Sequence, residues 1–324
     1  NAYKRVLDQD PKNRSALISL GFASRTANRP DDAEKYFKRL AQVDPASYIP
    51  YLALGDLDTS RKQFAAAQAN YNKAFQLSPK RANVVAGGMN AGIEAHNLNV
   101  AGDWLKRATD AMNRDPHLLR EEERYYSFKG DYAKSAEVGE KVMPLLPHDR
   151  DVVVYLGYDL LHLERWDELL KLANANMSSF PKEPDIPLLA GYVHKHQGND
   201  EDAKRDFTEA IARDPNVVTA YVNRGYTEND LHDPKSAASD FEQAVKLDPK
   251  DGEAHLGLAF AYLNLDKPQA AIKQSELAQQ VMGDSKEMHV IRATAYGREG
   301  MLTRAEGEFR AALKFATDDG AIHA

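Results

Sequence analysis

The feature that most constrains this chain is a recurrence at 34 residues. Prolines fall at Pro11, Pro45, Pro79, Pro116, Pro147, Pro181, Pro215 and Pro249, with gaps of 34, 34, 37, 31, 34, 34 and 34; the two irregular gaps together span 68. A second register steps from Ala33 through Ala67, Ala101, Ser135, Leu169, Ala203, Ala237, Ala271 and Ala305, alanine in seven of nine places. A third holds Gly21, Gly55, Met89, Glu123, Gly157, Gly191, Gly225, Ala259 and Ala293, and a fourth Phe37, Tyr71, Leu105, Gly139, Ala173, Phe207, Phe241, Ser275 and Phe309. Coincidence of a stop residue, a small residue and an aromatic residue at one period marks a stacked-repeat architecture.

Each unit reads as two amphipathic helices. Gly252 to about Asn264 places Leu256, Ala259, Phe260 and Leu263 at helical spacing, and about Pro268 to Val281 does the same with Ala271, Ile272, Ser275 and Ala278. Pro249 has no amide hydrogen and clashes with the preceding turn, so it ends one helix pair before the next begins. The aspartate before it favours an extended or turn conformation. Small residues let helix axes approach to roughly 8–10 Å, and the aromatic side chain fills the gap beside the crossing.

Residues 48–79 carry Tyr51, Leu54, Gly55, Ala67, Tyr71, Ala74 and Pro79 at spacings that resemble the tetratricopeptide repeat, and the resemblance extends over essentially the whole chain. It implies an all-α, right-handed superhelical solenoid of antiparallel helix pairs. The corresponding divisions are a half repeat over 1–11, then full repeats at about 12–45, 46–79, 80–116, 117–147, 148–181, 182–215, 216–249, 250–283 and 284–317, with the start of a cut repeat at 318–324. Units three and four depart from the pattern. The second helix of unit three is predicted near Val100 to Arg114, a turn too long, and the helix after it, Leu118 to Phe128, has Glu123 where other units have glycine. Either a local distortion divides the array into about three units and five, or the sequence has simply drifted. Tyr3, Val6 and Pro11 fit the second half of a preceding unit, and Asp319, Gly320 and His323 lie 68 residues after Asp251, Gly252 and His255. Both ends thus read as lying within repeats, with an expectation that the natural protein continues.

Composition narrows the chemistry. The 324 residues include no cysteine, which excludes disulfides, thiol catalysis and cysteine-ligated zinc. A net charge of −7 argues against nucleic-acid binding. The charge is uneven: residues 1–116 hold 17 basic and 12 acidic side chains, and the remainder 25 and 37. No apolar run is long enough to insert into a membrane, and nothing decides between cytoplasm and periplasm or fixes an oligomeric state. Phosphate-binding glycine loops, nucleophile elbows and paired metal-binding histidines on a helix are missing, so neither a catalytic residue nor a cofactor or metal site is assigned, and the chain reads as non-enzymatic. His255 and His289 stand one period apart at a packing position, as do His162 and His196, with His194 nearby, where they could face a groove. Glu121 to Glu123 point to three sides of one helix and do not make an acid–base pair.

The same resemblance implies that first helices line a concave wall on which a protein or peptide segment lies. One first-helix register runs Phe22, Asp56, Asn90, Arg124, Tyr158, Tyr192, Tyr226, Phe260 and Thr294, with an aromatic ladder over Tyr158, Tyr192, Tyr226 and Phe260. Val154, Leu188, Val222 and Leu256 run beside it, and Asn223, Asn229 and Asp230 can bond a peptide backbone. Helix packing accounts for such a ladder as well as partner binding does. The expected function is a protein-interaction scaffold with an extended segment in its groove; the alternative is the non-catalytic arm of a larger enzyme or export machine, of glycosyltransferase-linked or polysaccharide-export type.

Overall fold

The computed structural model describes the backbone of residues 2–321 and side chains through residue 315. His323 lies outside the described residues. Nineteen helices and no strand occur among the described residues, and the chain divides into two compact units, Asn1–Glu164 and Arg165–Ala324. The first unit holds α1 (Ala2–Gln9), α2 (Arg14–Thr26), α3 (Pro30–Val43), α4 (Ile49–Ser60), α5 (Phe64–Leu77), α6 (Ala82–Glu94), α7 (Leu98–Leu105), α8 (Pro116–Lys129), α9 (Tyr132–Val142) and α10 (Arg150–His162). The second holds α11 (Trp166–Asn176), α12 (Asp185–His196), α13 (Asp200–Arg213), α14 (Val218–Asp230), α15 (Pro234–Leu247), α16 (Gly252–Asn264), α17 (Pro268–Met282), α18 (Lys286–Arg298) and α19 (Leu302–Ala321). Within each unit, successive helices pack as adjacent pairs.

The hairpin turn is the most regular part of the array. A residue with positive φ stands at Asn28, Lys62, His96, Gly130, Glu164, Gly198, His232, Asp266 and Gly300, each 34 after the last. It closes the first helix by a paired hydrogen-bond motif: the Asn28 amide donates to the Arg25 carbonyl at 3.0 Å and the Arg29 amide to the Ser24 carbonyl at 2.9 Å. The residue after it caps the second helix, with a side-chain acceptor at Asn97, Asp131 and Asp233. Pro249 lies in the connector after α15, as its missing amide requires.

Where the helices of a hairpin cross, a small residue faces a ring. A Cβ at Gly191 would lie 2.5 Å from Phe207, and one at Gly225 would lie 2.9 Å from Phe241; both rings are fully buried. The fourth hairpin inverts this arrangement. Buried Glu123 on the first helix faces Gly139 on the second, where a Cβ would meet the Glu123 carboxylate at 2.5 Å. The large and small members of the pair have exchanged helices, so the volume at the crossing is conserved.

Two expectations about the irregular segment are corrected. The predicted long helix over 100–114 does not form: α7 stops at Leu105, and residues 106–115 turn back through bonds from the Met112 amide to the Thr109 carbonyl and from the Asp115 amide to the Met112 carbonyl, both 2.8 Å. Met112 is buried in one cluster with Trp104 and Leu118, and the Arg107 guanidinium lies 4.0 Å over the Trp104 ring, so side chains from the turn replace the missing helical one. Pro116 is the first residue of α8, capped by Asp115, rather than a connector proline. Because His96 and Gly130 remain 34 apart, the irregularity is confined to the connector. The array is accordingly not divided there, and the boundary between compact units falls after Glu164.

Candidate functional site

In the second unit, α12, α14, α16 and α18 each place a stripe of residues at spacing i, i+3, i+7 on one face: Asp185, Leu188, Tyr192; Thr219, Val222, Tyr226; Glu253, Leu256, Phe260; Glu287, Val290, Thr294. Leu188 and Val222 are buried beneath this face and Leu256 is half-buried. Tyr192 is half-buried, edge-on to Phe207 with ring centroids 5.9 Å apart, and its hydroxyl accepts from the Asn223 side-chain amide at 3.4 Å. Tyr226 packs edge-on against Phe241 at 5.0 Å and donates to the Glu253 carboxylate at 3.0 Å. Burial first, and the nearby Glu253 charge second, hold this hydroxyl far above the ordinary tyrosine range. Phe260 differs. The second helix of its hairpin has Ser275 where Phe207 and Phe241 stand in their own hairpins, so no ring covers Phe260 and it is 43% exposed. On α18, the next first helix, Val290 is 40% exposed.

The remaining residues singled out from sequence fall in several environments. Asn223 also donates to the Thr219 carbonyl at 2.8 Å. Asn229 is buried, with neither its amide nitrogen nor its oxygen bonded, and Asp230 is exposed and paired with Lys195. Tyr158 is half-buried on α10 of the first unit, and Val154 is buried there. His162 stacks on Tyr132 and His196 on Trp166, each with centroids 4.0 Å apart, while His194 Nδ1 lies 2.7 Å from Asp206. His255 is buried between Gln274 and the Pro249 carbonyl, and His289 between Glu308 and Asp284. Among the described residues no group of three or more histidine, aspartate or glutamate side chains could hold a metal ion, and no helix is long and apolar enough to cross a membrane.

The first unit carries a polar cleft of about 720 Å³ whose lining includes Arg25, Asp56, Tyr71, Asn90, Glu94 and Arg120. Asp56 accepts from the Tyr71 hydroxyl at 2.9 Å and from Arg25 at 2.8 Å; burial raises its pKa against the pull of both partners. Arg124 donates to Asn90 at 2.9 Å and to Glu94 and Glu121 at 2.8 Å each, and Arg120 to Glu121 at 2.8 Å. None of Tyr158, Tyr192, Tyr226 and Phe260 lines this cleft. Its signal is nevertheless present in the same register, as Asp56 and Asn90, with Arg124 bonded to Asn90.

Elsewhere in the first unit, Glu123 and Asp159 are both fully buried. Neither Glu123 oxygen has a hydrogen-bond partner; Asp159 accepts one bond from the Ser127 hydroxyl at 2.9 Å, and its second oxygen is unbonded. Burial, with the Asp159 charge next, pushes Glu123 up to about 9, and burial pushes Asp159 up to about 6. Both groups lie inside the packing of α8, α9 and α10.

Comparison with known proteins agrees with the architecture. Models of the tetratricopeptide repeat match residues 1–48 and 230–293. No curated protein matches the chain. Among solved structures, the Cut9-Hcn1 hetero-tetramer of the APC/C is similar with a TM-score of 0.62 at 13% identity, over 88% of this chain and 56% of that one. This chain therefore spans little more than half of that protein's length, and the likeness shows the fold alone. MamA (TM-score 0.47, 17% identity, 51% of this chain and 97% of that one) and a thermophilic TPR protein of Thermus thermophilus (0.44, 19%, 56% and 98%) are more distant. The matched segments toward both ends are similar to tetratricopeptide repeats, and the all-helical pairing and the 34-residue turn carry the same repeat fold through the described residues.

Proposed function

We propose that this chain is a protein-interaction scaffold that holds an extended segment of a partner protein against the first-helix face, with Phe260 as an anchor in the second unit. The observation that carries this reading is the exposure of Phe260. Tyr192 and Tyr226 on the same register have ring partners, whereas Phe260 keeps 43% of its surface in solvent beside exposed Val290. Large apolar side chains left in water on an otherwise satisfied face act as binding anchors. Tyr192 and Tyr226 flank the anchor with amphipathic rings, and Asn223 and Asp230 add hydrogen-bonding groups at its margin.

A photo-crosslinking residue at position 260 tests the reading, with Gln243 on α15 as control. Crosslinks at 260 to one partner segment, mapped by mass spectrometry and lost at 243, are expected. Equal crosslinking at both positions overturns the assignment.

A further inference from the structure

Along the N-terminal ends of the same stripes run Asp185, Thr219, Glu253 and Glu287, one period apart. Glu253 and Glu287 are exposed, and Glu253 accepts on this face from the Tyr226 hydroxyl, a neutral donor. Cations at the opposite ends of the stripes are already held: Lys195 by Asp200 and Asp230, Arg298 by the Leu263 carbonyl and Asp266. Lys286 precedes Glu287 but projects about 100° around the helix. The exposed apolar surface of Phe260 and Val290 is therefore bordered on one side by two exposed carboxylates, Glu253 and Glu287.

We infer that the second unit selects a basic amphipathic segment, one in which Lys or Arg side chains stand beside large apolar ones. This rests on the first-helix face being the partner-binding face and adds the chemistry of the partner. The apolar side chains cover Phe260 and Val290, and the cations meet Glu253 and Glu287. Tyr226 belongs to the same edge, its hydroxyl 3.0 Å from the Glu253 carboxylate. A cation placed on such a ring face gains from its quadrupole as well as from the carboxylates. Opposite charge across a rim governs partner choice and encounter rate more than tightness, so the preference is expected to weaken with salt.

The test is selection of random twelve-residue peptides displayed on phage against the intact chain, a Phe260→Asp variant and a Glu253→Lys/Glu287→Lys variant, each checked for unchanged helicity. Recovered peptides are expected to combine Lys or Arg with aromatic or aliphatic residues and to disappear on Phe260→Asp. Their affinity for the double-lysine variant is expected to fall at least tenfold, and selection on that variant to turn toward acidic peptides. Recovery of neutral or acidic peptides that still require Phe260 overturns the charge assignment and leaves the face intact. Recovery that ignores Phe260, or no recovery, overturns both.

Discussion

The first-helix faces of the two units use the same register to opposite ends. In the first unit that register places Asp56, Asn90 and Arg124, each tied to neighbours by hydrogen bonds or ion pairs of 2.8–2.9 Å. In the second it places Tyr192, Tyr226 and Phe260, with Phe260 left in solvent. Nothing in the fold requires either choice, because the crossing is filled from the other helix by Tyr71, Phe207 or Phe241. Packing is settled by the second helix, which frees the first-helix position to be polar or aromatic. Phe22, packed at 5.2 Å against Phe37, and half-buried Tyr158 on α10 show that aromatic residues on this register are accommodated in the first unit too.

The comparison breaks most severely where the shared ring is removed. Phe241→Ala in the second unit is expected to cost about 3–5 kcal/mol, with loss of amide protection in hydrogen exchange concentrated in α14 to α17. Protection lost evenly across both units would contradict nearest-neighbour stacking.

Next comes the inverted crossing that only the first unit has. Glu123 is held protonated in the fold, so the folded state binds a proton that the unfolded chain releases above about 4.5. Stability from this group is therefore complete below that value and declines as pH rises toward about 9. Asp159 adds a decline between 3.8 and about 6. Glu123→Gln preserves the volume against Gly139 and removes the titration. It is expected to raise stability at pH 8 by about 1–3 kcal/mol and to leave it nearly unchanged at pH 4.5; thermal melts across that range measure the slope. A gain that is the same at both pH values would show that the carboxyl is not buried as described.

In the second unit, Ala237→Leu at a fully buried crossing is expected to overpack by ~1–3 kcal/mol, seen as a lowered melting midpoint. The smallest effect belongs to the element both units share. Lys62 has φ 58, so Lys62→Gly relieves left-handed strain but adds unfolded-chain entropy. The net change is expected below about 1 kcal/mol, from denaturant midpoints.

How much of this is legible in the sequence depends on where side-chain identity carries the information. The helix pair over Gly252–Asn264 and Pro268–Met282 follows directly from apolar spacing and Pro249. The hairpin turn, the most periodic feature, is invisible because asparagine, lysine, histidine, glutamate, aspartate and glycine all occupy it; its hydrogen bonds come from the backbone. The segment over 100–114 reads wrongly as helix because the apolar residues Ala108 and Met112 continue a helical pattern, yet they fill the core from a turn. For the site, the register itself is visible, but not which rings are covered. That difference resides in Ser275, a residue on another helix.

The most direct measurement is a hydrogen-exchange footprint of the intact chain with a peptide recovered by selection. Protection is expected over 252–264 and 286–298, reduced by Phe260→Ala, with α13 and α15 unchanged. Protection confined to α13 and α15, or indifferent to Phe260, would contradict the assignment of the first-helix face as the surface that meets a partner.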